Sequence, residues 1–294
     1  MYHRLSDRII YSSIYCGIYF VVITIEYISF SSKSMTKNFF FIFITILLTS
    51  CGTLQNTVVE SKANELTLLS YNIRNAWGMD HVTDYSRIAS IINRIKPDAV
   101  ALQELDSATV RSYGAVVINE LAHHTGMFAT YSKSINYQGG GYGIGILTKE
   151  KPLKTIRIPL PGKEEKRSLL MVEMKNYIFC CTHWSLTKID RERSVGIIND
   201  FVAQLHTHKP IFLAGDLNIV SSSPEMALLK QDWNIMNDIH QSTYPSSVPT
   251  KCIDYILAYT KNIGVITLMS KVENEPVASD HLAVWVKIRL SKLN

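Results

Sequence analysis

Short apolar runs rich in Val, Ile, Tyr and Phe recur along this chain with the length of strands, at 66–71, 99–103, 144–148, 169–174, 177–182, 211–214, 253–258 and 282–288. Two other stretches carry a helical stripe. Ile88, Ile91, Ile92 and Ile95 follow i, i+3, i+4, i+7, and Val195, Ile198, Val202 and Leu205 keep a similar spacing. Each predicts a helix that covers a sheet with one face. The run 282–288 is mostly apolar on both faces, as a strand buried inside a layered α/β protein would be. Polar clusters sit at or beside five of these runs: Asn72, Gln103 with Glu104, Thr182 with His183, Gly215-Asp216-Leu217-Asn218, and Ser279-Asp280-His281. Taken singly, each is a turn former, a solvated carboxylate or a core histidine. Taken together, five strand ends with one chemical vocabulary predict one site.

The first fifty residues follow a different pattern. Two apolar stretches, 9–30 and 39–48, dominate them, the first interrupted by Glu26 and the second preceded by Lys37. The second is about ten residues, too short to cross a bilayer as a helix, and looks like the h-region of a signal peptide. It ends in Leu48-Thr49-Ser50-Cys51-Gly52, which resembles a bacterial lipobox. That resemblance implies lipidation of Cys51, removal of residues 1–50, and a lipid-anchored, extracytoplasmic protein of the cell envelope. Met35 is well placed to start such a peptide, which makes residues 1–34 an upstream extension. The alternative is a start at Met1 with a transmembrane helix over 9–30, for which Glu26 is costly. Residues 51–64 then read as the lipidated cysteine and a polar tether, and 65–294 as one domain of 230 residues without a repeat or linker.

Composition changes this picture little. With 47% hydrophobic and 19% charged residues the chain is an ordinary folded protein. The formal charge is +5, of which +3 belongs to the residues after Cys51. So mild an excess does not argue for nucleic-acid binding. Cys180 and Cys181 are adjacent on a predicted strand and face opposite ways, so at most one could meet Cys252, and free buried thiols are expected. The Gly139-Gly140-Gly141-Tyr142-Gly143 stretch lacks the spacing of a nucleotide fingerprint and reads as a loop near the site.

The polar clusters supply what phosphoester hydrolysis needs: positive charge at the phosphoryl oxygens, a base for water, and help for the leaving oxygen. Glu104, Asp280 and the Asn72 carbonyl are hard oxygen ligands suited to Mg²⁺ or Mn²⁺, and the Cys/His spacing of structural zinc is missing. Seven stretches, LLSYNIRNAWGMD, PDAVALQELD, YGIGILTK, CTHWSLT, FLAGDLNI, TYPSSVPTKCIDYILA and ASDHLAVWVKI, resemble the endonuclease/exonuclease/phosphatase superfamily in its own order. The match looks most like bacterial hydrolases bordering the sphingomyelinases.

The resemblance implies a four-layered α/β sandwich of two packed mixed sheets with helices outside. It also implies that Asn72, Glu104 and Asp280 hold the metal, and that Asp216 and His281 position and deprotonate water. Asp254 would orient His281, Asn218 would hydrogen-bond the phosphoryl group, and His183 would stabilise the transition state or assist the leaving oxygen. Arg74 and Arg191 are candidates for substrate phosphate. The chain departs from the family at Cys252, where a basic residue is usual, and at Trp184, where a smaller one is. The expected substrate is a small phosphoester or a phospholipid headgroup hydrolysed by a monomer. Only 35 residues separate Asn218 from Asp254, without a basic insert, so a nuclease acting on nucleic acid is the second reading. A non-catalytic binding protein is the third.

Overall fold

The computed structural model describes residues 65–261 and 264–291. The signal-peptide segment, Cys51, the tether and the alternative membrane helix all lie outside the described residues. Among those described, no helix is long and apolar enough to cross a membrane.

Twelve strands form two six-stranded sheets among the described residues. The first contains β1 (Glu65–Asn72), β2 (Ala99–Ser107), β3 (Phe128–Tyr137), β4 (Gly140–Thr148), β11 (Gly264–Val272) and β12 (Val284–Ser291), in the order β11-β12-β1-β2-β4-β3. The second contains β5 (Lys154–Leu160), β6 (Arg167–Glu173), β7 (Ile178–His183), β8 (Ile211–Asp216), β9 (Trp233–Ile235) and β10 (Asp254–Tyr259), in the order β5-β6-β7-β8-β10-β9. Both sheets are mixed. β1 runs parallel to β2 and β7 parallel to β8, while the other neighbours are antiparallel.

Side-chain alternation sorts the core into three layers, because successive residues of a strand face opposite ways. Leu68, Ala101, Phe179, Cys181, Phe212 and Ile256 meet in the cluster between the two sheets. Their neighbours Leu69, Tyr71, Val100 and Leu102 turn outward and pack with Ile88, Ile91 and Ile92 of α1 (Tyr85–Ile95) and Val117, Ile118 and Leu121 of α2 (Val117–Thr125). On the other side Cys180, Leu213, Tyr255 and Leu257 pack with Val195, Ile198 and Val202 of α3 (Lys188–Ala203) and Met226 and Leu229 of α4 (Pro224–Leu229). Helix, sheet, sheet, helix is the four-layered sandwich that the family resemblance implies. Cys180, Cys181 and Cys252 are free and buried, with Cys180 and Cys181 in different layers.

Three details differ from the sequence reading. α3 ends at Ala203, so Leu205 packs against the core from beyond the helix. Of the Gly139–Gly143 stretch only Gly139 lies in the hairpin turn, and Gly140–Gly143 form the start of β4. A Cβ at Gly140 would meet the Ser107 carbonyl at 2.3 Å and one at Gly143 the Ser132 carbonyl at 2.1 Å, so these glycines allow β4 to lie close to its neighbours. Four strands, β3, β5, β9 and β11, have no counterpart among the predicted runs.

Candidate active site

The sheet registers assemble most of the site. In the second sheet, His183 at the end of β7 pairs in register with Asp216 at the end of β8, and Asp254 at the start of β10 pairs with Asp216 from the other side. Residues opposite one another in a sheet project to the same face, so these three converge. In the first sheet, Asn72 at the end of β1 lies in register with Gln103. The β2–β4 register then shifts between Leu102 and Leu105, and Glu104 adopts a left-handed φ of 60°. A bulge with a non-glycine residue in that region costs energy and re-aims a side chain, here the Glu104 carboxylate.

Asp216 is the hub. Its Oδ2 accepts a hydrogen bond from Asn72 Nδ2 at 3.2 Å and lies 3.5 Å from His183 Nε2 and 3.7 Å from His281 Nε2. Its Oδ1 accepts the Asn218 backbone N–H at 2.9 Å. Asn72 Nδ2 also donates to Glu104 Oε1 at 3.0 Å, so this one amide bridges the two carboxylates. His281 Nδ1 is 3.0 Å from Asp254 Oδ2, and Asp254 is fully buried. The result is a continuous Asp254–His281–Asp216 chain. Asn218, at a left-handed φ of 52°, donates its Nδ2 to the Trp184 carbonyl at 3.0 Å.

The SDH segment is tied to both sheets. Ser279 Oγ donates to the Asn72 carbonyl at 2.8 Å, which brings Asp280 to the end of β1, and the Ser246 N–H donates to the Asp280 carbonyl at 2.7 Å. Arg74 lies in a left-handed turn, Arg74–Ala76, directly after β1; its Nε is 4.0 Å from Asp280 Oδ2 and its guanidinium rests on the Trp77 ring.

These groups border a cleft of about 850 Å³ lined by Glu104, His183, Asp216, Asn218, Asp280 and His281. Its walls hold residues that the sequence reading missed: Tyr142, Glu164, Glu165, Arg167, Tyr244 and Lys251. Lys251 stands directly before Cys252, so the cleft still has a cation beside the position where this chain lacks the family's usual basic residue. Arg167 opens β6, and its only signal in the sequence was a charge leading into an apolar run. Tyr244 lies against the His281 ring with centroids 4.8 Å apart. Arg191 also borders the cleft, but its donors are engaged: Nε and Nη2 reach Glu225 Oε1, and Nη1 reaches the Ser185 and Leu186 carbonyls. It clamps the wall. Trp184 is wholly buried in the helix-side core, and Cys252 is buried beside Asn237 and Asp254.

Electrostatics separates the groups. Burial raises the Asp216 carboxyl to about 7, against the pull of His281 and with the push of Asp254. Burial opposes the charged form of His281, yet Asp254 and Asp216 outweigh it and hold the imidazole up to about 10. Such a pair titrates jointly. His183 goes the other way, kept neutral first by burial and then by the charges of Arg167 and His281. Glu164 is taken down to about 2, because hydrogen bonds from Ser185 and the Leu186 N–H and the Arg167 charge overcome its partial burial.

A metal fits this donor set. Glu104 and Asp280 offer hard oxygens from a cleft with an excess of carboxylates, which suits a hard divalent cation, while Asn72 is fully buried with its Oδ1 accepting the Arg74 N–H at 3.1 Å. The ligating atoms of Asp216, Asp254 and His281 also lie within 4.8 Å of one another. That trio is joined through the His281 ring.

A family model for the endonuclease/exonuclease/phosphatase family matches residues 69–281. The chain belongs to that family. Solved structures agree on the fold of this endonuclease/exonuclease/phosphatase family member. It is similar to an endonuclease/exonuclease/phosphatase from Beutenbergia cavernae, with a TM-score of 0.66, 21% identity, and 78% of this chain and 72% of that one covered. A mannosyl-6-phosphatase of Bacteroides thetaiotaomicron gives a TM-score of 0.60 at 16% identity, covering 77% of this chain and 99% of that one. D. rerio TDP2 complexed with single-strand DNA product gives 0.60 at 16% identity, covering 76% and 99%. No curated protein matches the chain.

Proposed function

We propose that this protein is a divalent-cation-dependent phosphoester hydrolase that activates water for in-line attack on a small phosphoester or a phospholipid headgroup. The observation that carries the reading is the buried Asp254–His281–Asp216 chain ending beside the Asn72 amide that links Asp216 to Glu104. Asn72, Glu104 and Asp280 would hold Mg²⁺ or Mn²⁺, which when bound supplies positive charge to the phosphoryl oxygens. Asp254 fixes the ring of His281. The Asp216–His281 pair takes the proton of the attacking water, and a group held near 7 is a base matched to neutral pH. His183 and Asn218 face the cleft as donors for the phosphoryl group.

A compact substrate is favoured by the acidic wall of Glu164 and Glu165, which repels a long polyanion. The two relatives named above bracket the range, one called a mannosyl-6-phosphatase and the other binding a DNA product. Lipidation of Cys51 would place this chemistry on the envelope surface. The test is a substrate panel for residues 52–294: sugar phosphates, phosphoinositides, sphingomyelin and oligonucleotides, each with Mg²⁺ or Mn²⁺. Turnover of a small or lipid phosphoester above oligonucleotide supports the reading. Preferred, salt-sensitive cleavage of oligonucleotide overturns the substrate class in favour of a nuclease.

A further inference from the structure

His183 is held by a partner that can only donate. Arg167 Nη1 lies 3.1 Å from His183 Nδ1, and a guanidinium stays charged and has no acceptor. Nδ1 must therefore present its lone pair, which leaves the ring hydrogen on Nε2, the nitrogen 3.5 Å from Asp216 Oδ2. The contact is rigidly framed. Arg167 is 6% exposed and held by Glu165 at the same Nη1 and by Glu164 at Nη2, 3.5 Å away, while Glu164 is itself fastened to the loop after β7 through Ser185 and Leu186. Adding a second proton would place an N–H on Nδ1 facing the guanidinium, with His281 as a further like charge nearby.

We infer that Arg167 is a positioning residue that locks His183 as the Nε2–H tautomer, so that His183 is a fixed hydrogen-bond donor to the phosphoryl group and not the acid that protonates the leaving oxygen. The inference rests on the hydrolase reading above. In the step it implies, the water oxygen forms the new P–O bond and its proton goes to the Asp216–His281 pair. The P–O bond to the leaving group breaks, its electron pair stays on the leaving oxygen, and that oxygen takes a proton from solvent.

The tautomer is tested without turnover. Long-range ¹H–¹⁵N spectra of the intact chain in detergent, ring-¹⁵N-labelled at histidine and assigned by His183→Gln, should show His183 protonated at Nε2 alone at pH 7. Arg167→Lys should keep that pattern and Arg167→Met should lose it. An imidazolium or an Nδ1–H ring in the wild type overturns the inference, whether or not either variant folds. Kinetically, Arg167→Met should slow aryl and alkyl phosphoesters equally, by about 100-fold in kcat with a smaller change in KM, and Arg167→Lys should recover part. A markedly larger loss on the alkyl ester would make His183 the acid. Absence of all hydrolysis would sink the proposed function, while the spectra still decide the tautomer.

Discussion

Asp216 and His281 hold their protons more tightly in the folded chain than their ordinary values of 3.8 and 6.5 allow. Such groups contribute stability that is complete below the ordinary value and is lost as pH rises through the folded one, here about 7 and about 10. His183 is depressed, so its share is lost as pH falls below 6.5. Chelator-treated protein should therefore melt at falling temperature between pH 7 and 9, more steeply than His281→Gln. A Tm that rises over that window, or an equal slope in the variant, contradicts the electrostatic picture. At this scale the sequence was informative wherever a polar residue ended an apolar run, as at Asn72, His183 and Asp216, or opened one, as at Asp280. It was silent on Arg167, Glu164 and Glu165, because a charge beside a strand is usually solvated and only the fold brings these to the cleft.

The elements legible in the sequence are the eight interior strands, and the four that were not, β3, β5, β9 and β11, are the outer strands of the two sheets. An interior strand is covered on both faces and paired along both edges, so it reads as a continuous apolar run. An edge strand keeps polar and exposed positions, as in β11 and β3, and loses that signal. The catalytic ends belong to interior strands, which is why the site was found with the edges missing. One element-level contact sets its geometry. A Cβ at Gly215 would meet the Thr182 carbonyl at 2.0 Å, where β7 and β8 carry His183 and Asp216 side by side. Gly215→Ala should lower stability by about 1–3 kcal/mol in urea unfolding and reduce kcat beyond what the lost folded fraction explains. Wild-type kcat in the folded variant would show that the close approach does not position the pair.

In the described molecule, two sheets from distant parts of the chain bring their strand ends to one cleft. Asn72 and Glu104 come from the first sheet, His183, Asp216 and Asp254 from the second, and the SDH segment is bonded to both. The seven ordered motifs made this arrangement readable. The walls of the cleft were not, since they depend on loops whose approach no local pattern encodes. Where the molecule works is a question for Cys51. Replacing it with Ala should release the protein from the membrane fraction, and the mature wild type should begin at a lipid-modified Cys51 by mass. A wild-type N-terminus at Met1 with membrane retention in Cys51→Ala would refute the anchor.

The central claim is metal-dependent water activation by the Asp216–His281 pair. Its most direct measurement is phosphoester hydrolysis by the intact chain with Mg²⁺ or Mn²⁺, repeated in chelator and with folded Asp216→Asn and His281→Ala. The account predicts turnover that disappears in chelator, returns with the cation, and falls by roughly 10²- to 10⁴-fold or more in each variant. Undiminished hydrolysis in chelator, or in either folded variant, would contradict it.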